Sequence, residues 1–269
     1  MKPDKNRDQH IMVDDRINAG VVSAAEVMPE DIVLEIGGGP GNLTELLAKS
    51  AGQVYTVEKD RKYYAFLKEK FAERANVKVI SGDALSVGLP YFDKIVSNPP
   101  YQILQEFFYR LVRERRQNFK CCVMTVPYGF AKLATGRPES SEFGVLSALF
   151  YAFYNVEILS AVRKEAFRPM PRVLSSLVRI VPVREEKGLL QLALKYAFLH
   201  EKQKIRNVMM KLLWDHGEAL LKRKVTKNEA REIIESFDAG LAPELDKGIF
   251  QLSASEISML FKQLQKVQS

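Results

Sequence analysis

Short apolar runs alternate with stripes of helical spacing through the first two-thirds of the chain. Residues 15–25 carry a helical stripe after a short mixed segment, Gln9-His10-Ile11-Met12-Val13. Ile32-Val33-Leu34-Glu35-Ile36 suits a strand buried on both faces, and it runs straight into Gly37-Gly38-Gly39-Pro40-Gly41-Asn42. The pattern then predicts a helix over 43–51, strands over 53–58, 77–80 and 92–96, and helices over 62–74 and 103–115. Next come a strand over 120–128, a loop over 131–142, an apolar helix over 143–153, and strands over 156–161 and 175–183. Strands alternating with helices predict an α/β fold with a Rossmann-like sheet. From residue 185 the pattern turns to helices alone, over 189–213, 226–237 and 253–267. Two domains are therefore expected, 1–184 and a small helical domain, 185–269. Residues 1–9 are polar and are expected to be mobile.

Composition narrows the classes. A chain of 269 residues, 46% of them hydrophobic, can bury a sizeable core, which excludes a disordered or fibrous protein. The net charge of +7 weakly favours a polyanionic partner. Cys121 and Cys122 are adjacent inside an apolar run, so they read as buried strand residues rather than a disulfide, and no metal cluster is expected. No apolar run is long enough to span a bilayer, and the charged start leads into no secretory segment. The expectation is a cytoplasmic protein with no membrane contact and no obligate protein partner.

The candidate chemistry sits at the ends of the predicted strands. A strand, a glycine turn and a helix form a nucleotide-binding entry. The dinucleotide spacing G-x-G-x-x-G fails, because Asn42 stands in its last place. Glu35-x-Gly37-x-Gly39-x-Gly41 fits instead the acidic-glycine pattern of methyltransferases that use S-adenosylmethionine (SAM). Glu58, ending the second strand, is placed to accept both ribose hydroxyls. Asp83, with the Ala84 backbone beside it, is placed to accept from the adenine amine, and Asp60 reads as a helix cap. The fourth strand delivers Ser97-Asn98-Pro99-Pro100-Tyr101 to the same edge. The Asn98 amide oxygen and the Pro99 carbonyl can hold the two N–H bonds of an exocyclic amine, and Tyr101 offers a flat face to its ring. This is a site for an adenine or cytosine amine attacking a methyl donor. Phe167, in the stiff loop Phe167-Arg168-Pro169-Met170-Pro171-Arg172, is a candidate second stacking face. Arg163, Lys164, Arg168 and Arg172, with Lys202, Lys204 and Arg206, can line an RNA groove through phosphate contacts. Such charges are more often a solvated face, and the run of arginines at 110, 113, 115 and 116 is weaker still because cations are normal at a helix C-terminus.

Together these residues resemble the KsgA-type rRNA adenine dimethyltransferase family over nearly the whole chain. The resemblance rests on Glu35-Ile36-Gly37-Gly38-Gly39-Pro40-Gly41, Glu58, Asp83-Ala84, Asn98-Pro99-Pro100-Tyr101, Gly144-Val145-Leu146-Ser147, Phe167 to Ser175, and Lys204-Ile205-Arg206-Asn207. It also takes in Asp8-Gln9-His10-Ile11-Met12-Val13-Asp14. Local sequence alone makes His10 a helix-entry residue; the resemblance instead implies that His10 and Met12 contact SAM with Gly37, Glu58, Asp83 and Asn98. It further implies dimethylation of a base in rRNA of the small ribosomal subunit, through a SAM methyltransferase sheet followed by a helical RNA-binding domain. Departures are visible. Pro99 replaces an aliphatic residue, giving the N-P-P-Y form shared by adenine-N6 and cytosine-N4 methyltransferases, while Asp8, Ile11 and Val145 replace Gly, Phe and Arg. Adenine N6 and cytosine N4 both stay open on the motif. The rival readings are a DNA amine methyltransferase and a non-catalytic rRNA assembly factor that keeps the fold.

Overall fold

The computed structural model describes residues 10–185, 188–237 and 241–268. The expected mobility of residues 1–9, and the motif positions Asp8 and Gln9, lie outside the described residues. The chain divides into two compact units, residues 1–132 with 156–182, and residues 133–155 with 183–269.

The first unit is the α/β part. Its elements are β1 (Ile11–Met12), α1 (Asp15–Ala24), β2 (Ile32–Ile36), α2 (Asn42–Ser50), β3 (Gln53–Glu58), α3 (Arg61–Lys70), β4 (Val77–Ser81), β5 (Lys94–Ser97), α4 (Leu104–Arg113) and β6 (Cys121–Pro127). After α5 (Tyr128–Ala134) and α6 (Val145–Phe153) come β7 (Tyr154–Val162), β8 (Phe167–Arg168) and β9 (Ser175–Pro182). Seven strands form one sheet in the order β4-β3-β2-β5-β6-β9-β7. The strands from β4 to β6 are parallel, and β9 runs antiparallel to β6. Val33, Val54, Val96 and Val123 are fully buried in the core beneath α1 and α2, which is why these strands read as continuous apolar runs rather than alternating ones. The chain steps outward from β2 through β3 to β4, then returns to place β5 on the other flank of β2. That reversal opens a crevice at the carboxyl ends of β2 and β5, where open α/β sheets bind ligands.

A two-stranded ribbon lies apart from the sheet. β1 pairs antiparallel with β8, Ile11 opposite Arg168 and Met12 opposite Phe167, and Val13 N–H donates to the Ala166 carbonyl at 2.8 Å. The ribbon carries His10 and Met12 to the carboxyl edge. Asp14 then caps α1 by accepting from the N–H groups of Arg16 and Ile17.

The second unit is helical, with α6, α7 (Leu189–Leu199), α8 (Ile205–Leu221), α9 (Lys227–Glu235) and α10 (Ala254–Gln268). Rings of Phe153, Phe198 and Phe250 meet in series at 6.1 and 5.8 Å. The boundary expected at 184/185 does not separate residues 133–155, which group with the helices. Six of the nine residues of α6 are buried, and this all-round apolar helix packs on α7. Two further expectations differ. The strand expected to 128 stops at Pro127, and Tyr128 opens α5 where a loop was expected from 131. The single helix expected over 189–213 breaks into α7 and α8: Lys204 is extended, and the Ile205 N–H donates to the Lys247 carbonyl at 2.9 Å, a tertiary bond with no local signature. No helix among the described residues is long and apolar enough to cross a membrane.

At the amino edge of the sheet, Asp31 is fully buried and its carboxylate accepts from Lys94 Nζ at 2.8 Å and Lys120 Nζ at 2.6 Å. Burial works against its charge, yet the two lysines hold its carboxyl below the usual range. Removing the acid takes the offsetting charge from the Lys94 ammonium, which is only 8% exposed and keeps a hydrogen bond to the Glu26 carbonyl at 2.6 Å. Asp31→Ala is expected to destabilise by about 3 kcal/mol in urea denaturation, and Lys120→Ala, at a half-exposed lysine, by under about 1 kcal/mol.

Candidate active site

Four strand ends converge on the crevice. β2 leads into the glycine turn, where Gly37, Gly39 and Gly41 have φ of 75°, 52° and 80°. Only glycine takes this left-handed backbone at little cost. A Cβ on Gly37 would also lie 3.2 Å from Cδ of Pro100, so the turn and the Asn98–Tyr101 segment close against each other. The Ser97 hydroxyl locks the two strand ends, donating to the Ile36 carbonyl at 2.7 Å and accepting from the Ile36 N–H at 3.2 Å.

Asn98 is held from both sides. Its Nδ2 donates to the His10 backbone carbonyl at 2.9 Å, and its Oδ1 accepts from the hydroxyl of Thr125, a fully buried residue on β6. An amide oxygen has two lone pairs, so one remains for a substrate N–H. Tyr101 opens a short 3-10 turn, and its hydroxyl shares a 2.6 Å hydrogen bond with Ser175 at the start of β9. The His10 ring lies 6.0 Å from the Tyr101 ring, tilted by 40°, and His10 Nδ1 is 2.9 Å from the Pro169 carbonyl. Thr125 was missed from sequence; its only signal was a lone hydroxyl inside the apolar run Cys121–Val126.

Phe167 requires a correction. It is fully buried in the core beside Met12, Val162, Ala166 and Leu177, and it pairs with Met12 across the ribbon. A ring packed on all sides offers no face to a base, so its part is to anchor the ribbon. Arg110 is corrected as well: it is buried and donates to the carbonyls of Ala84 and Val87, both at 2.6 Å, which ties down the loop after Asp83.

Two hollows meet around Gly37, Glu58 and Pro100. The first runs past His10, Met12, Gly38, Gly39 and Asn98, with Glu35 in its wall. The second passes Val57, Asp83, Ala84 and Ile103. Glu58 is buried; its oxygens accept from the N–H groups of Gly39 at 2.9 Å and Asp60 at 2.7 Å, and burial pushes its carboxyl pKa up. Asp83 accepts from Lys59 Nζ at 2.7 Å and from the Leu85 N–H at 2.9 Å, and the Lys59 bond holds its pKa down. Each carboxylate has more lone pairs than these bonds use. Glycines without Cβ atoms along one hollow, and two carboxylates with apolar walls along the other, fit the amino-acid and nucleoside halves of SAM. Asp60 caps α3 as expected, accepting from the N–H groups of Lys62 and Tyr63.

The basic residues fall on both units. In the first, Arg163, Arg168 and Arg172 are exposed, although Arg168 also donates to the carbonyls of Glu165 and Phe167, and Lys164 donates to that of Arg172. In the second, Lys202 is exposed, while Lys204 and Arg206 lie 3.3 and 3.6 Å from Asp246.

The sequence profile of the family described as "Ribosomal RNA adenine dimethylase" matches residues 2–235. A protein of Methanosarcina acetivorans named "Probable ribosomal RNA small subunit methyltransferase A" is 38% identical over 209 residues, 76% of each chain. One of the same name from Pyrococcus abyssi is 32% identical over 266 residues, 99% of this chain and 93% of that one. Among solved structures, a dimethyladenosine transferase from Plasmodium falciparum superposes with a TM-score of 0.65 at 23% identity, covering 96% of this chain and 98% of that one. The 23S rRNA methyltransferase ErmE gives 0.60 at 21%, covering 95% and 99%. These two likenesses establish the SAM methyltransferase fold.

Glu35 lies fully buried in the hollow's wall, accepting from the Thr44 hydroxyl at 2.6 Å, and burial raises its pKa to about 7. The folded state therefore holds a proton that the unfolded chain releases near its ordinary value of 4.5. Stability falls as pH rises from about 4.5 to about 7, by on the order of 3 kcal/mol. Glu35→Gln is expected to flatten that fall, its stability relative to the parent rising between pH 5 and pH 8 in denaturant titrations.

Proposed function

This chain belongs to the ribosomal RNA adenine dimethylase family, and we propose that it methylates the exocyclic N6 amine of adenine in small-subunit rRNA. It is a SAM-dependent RNA N-methyltransferase, and the family favours adenine over the cytosine that the N-P-P-Y motif left open. Small-subunit rRNA follows the names of the relatives, and a ribosomal subunit or its precursor is the proposed setting.

The observation that carries the reading is the doubly held Asn98 carboxamide beside Tyr101, at the mouth of the cofactor crevice. When bound, SAM supplies the electrophile, a sulfonium methyl whose C–S bond breaks as the N–C bond of the amine forms. Asn98 Oδ1 and the Pro99 carbonyl receive the two amine N–H groups, which turns the nitrogen lone pair toward the methyl. Tyr101, fixed by Ser175, stacks on one face of a base extruded from its helix. Positioning does most of the work. The N–H becomes acidic once the nitrogen carries its new bond, so the proton leaves to water without a dedicated base. Glu58 and Asp83 receive the ribose hydroxyls and the adenine amine of the cofactor. His10 and Met12 close the first hollow through the ribbon. Phosphate contacts are assigned to the exposed Arg163 and Arg172 in one unit and Lys202 in the other.

Nucleoside mass spectrometry of small-subunit rRNA tests this. Dimethyladenosine is expected to disappear on deletion of the gene, to return with the parent chain, and not to return with Asn98→Ala. An unchanged content in the deletion strain would reject the substrate, and loss of N4-methylcytidine instead would change the base. Thr125→Val is expected to lower kcat roughly tenfold, the effect of one lost hydrogen bond that orients a reacting group, while Thr125→Ser stays within about threefold.

A further inference from the structure

Two polar side chains in the first hollow have no part in the site as described. Asn18 lies on α1, only 2% exposed, and its Nδ2 has no hydrogen-bond partner. Tyr63 lies on α3, 5% exposed, and its hydroxyl has none either. Both line the hollow that runs past Gly37, Gly38 and Gly39. Asn18 occupies an apolar stripe with Val21 and Ala25, at i, i+3 and i+7, where an aliphatic side chain would pack without cost. Burying an amide or a phenol without a partner destabilises a protein. Two such groups, from separate helices, facing one cavity point to a polar ligand that completes them.

The other polar groups of the hollow narrow that ligand's chemistry. The Gly39 N–H is already given to Glu58, Asn42 Nδ2 donates to the Met12 carbonyl at 3.2 Å, and Glu35 is an acceptor or, at its raised pKa, a neutral acid. The unmet groups are an N–H donor and an O–H donor, a pair suited to an anionic oxygen. We propose that Asn18 and Tyr63 bind the α-carboxylate of the methionine half of SAM. The inference rests on the SAM site described above and adds these two binding residues to it.

Calorimetric titration with SAM and with decarboxylated SAM, which lacks only that carboxylate, tests the assignment. The parent chain is expected to prefer SAM. Asn18→Leu and Tyr63→Phe are each expected to weaken SAM about tenfold, the effect of one hydrogen bond to a charged group, and to leave the decarboxylated ligand within about twofold. The melting temperature without ligand is expected to hold or rise in both variants, because each removes an unmet polar group. Equal losses for the two ligands, or no loss for either, would overturn the carboxylate assignment and leave ordered water as the partner of these groups. Failure of the parent chain to bind either ligand would instead remove the SAM site itself.

Discussion

The proposed site depends on the Asn98 carboxamide being fixed in one orientation. A free amide can turn over and exchange its oxygen for its nitrogen, which would present donors to an amine that needs acceptors. The His10 carbonyl takes the Nδ2 side and the Thr125 hydroxyl takes the Oδ1 side, so the amide has one satisfied setting. This explains several features that otherwise look unrelated. The β1–β8 ribbon brings a backbone carbonyl to Asn98, Phe167 anchors that ribbon from the core, and β6 presents its one hydroxyl, Thr125, one residue beyond the Ser97–Met124 pair that ends its pairing with β5.

The two edges of the sheet divide the labour. At the amino edge, Asp31 has its charge met by two lysines, and the arrangement serves the fold. At the carboxyl edge, Glu35, Glu58, Asn18 and Tyr63 are buried with polar capacity left over or with charge opposed by burial. A chain selected for stability alone would not keep them so. Asn18 and Tyr63, two unmet polar groups from separate helices, line one hollow at this edge, and that coincidence is what the proposed ligand answers.

Much of this was legible in the sequence because it follows local rules. Parallel strands buried on both faces read as apolar runs, the glycine turn declares its backbone, and Asp60 caps α3 as its place before a helix implies. Glu58, Asp83 and Asn98 stand out as candidates in the sequence because each lies at or just beyond the end of a strand. What escaped depends on packing across long separations. Phe167 sits in a proline-rich stretch that reads as an exposed loop, yet the ribbon turns its ring inward. Arg110 looks like a helix-end cation and is a buried latch. Thr125 and Asn18 are single polar residues in apolar patterns, and only the structure reveals what lies opposite each. The break at residues 200–204 has no proline or glycine to announce it, because the Lys247 carbonyl ends the turn from afar.

The ribbon also has a consequence for the order in which the molecule matures. The parallel strands β2 to β6 lie close together in the chain and can assemble as each leaves the ribosome. The partner of β1 cannot: β8 is made only after five more elements, from α4 to β7, have been added beyond Asn98. Until then the segment bearing His10 has no strand to pair with, and the amide has only one of its two restraints. The nascent chain can thus hold a folded sheet while its reactive centre is incomplete, so the catalyst is finished late in its own synthesis.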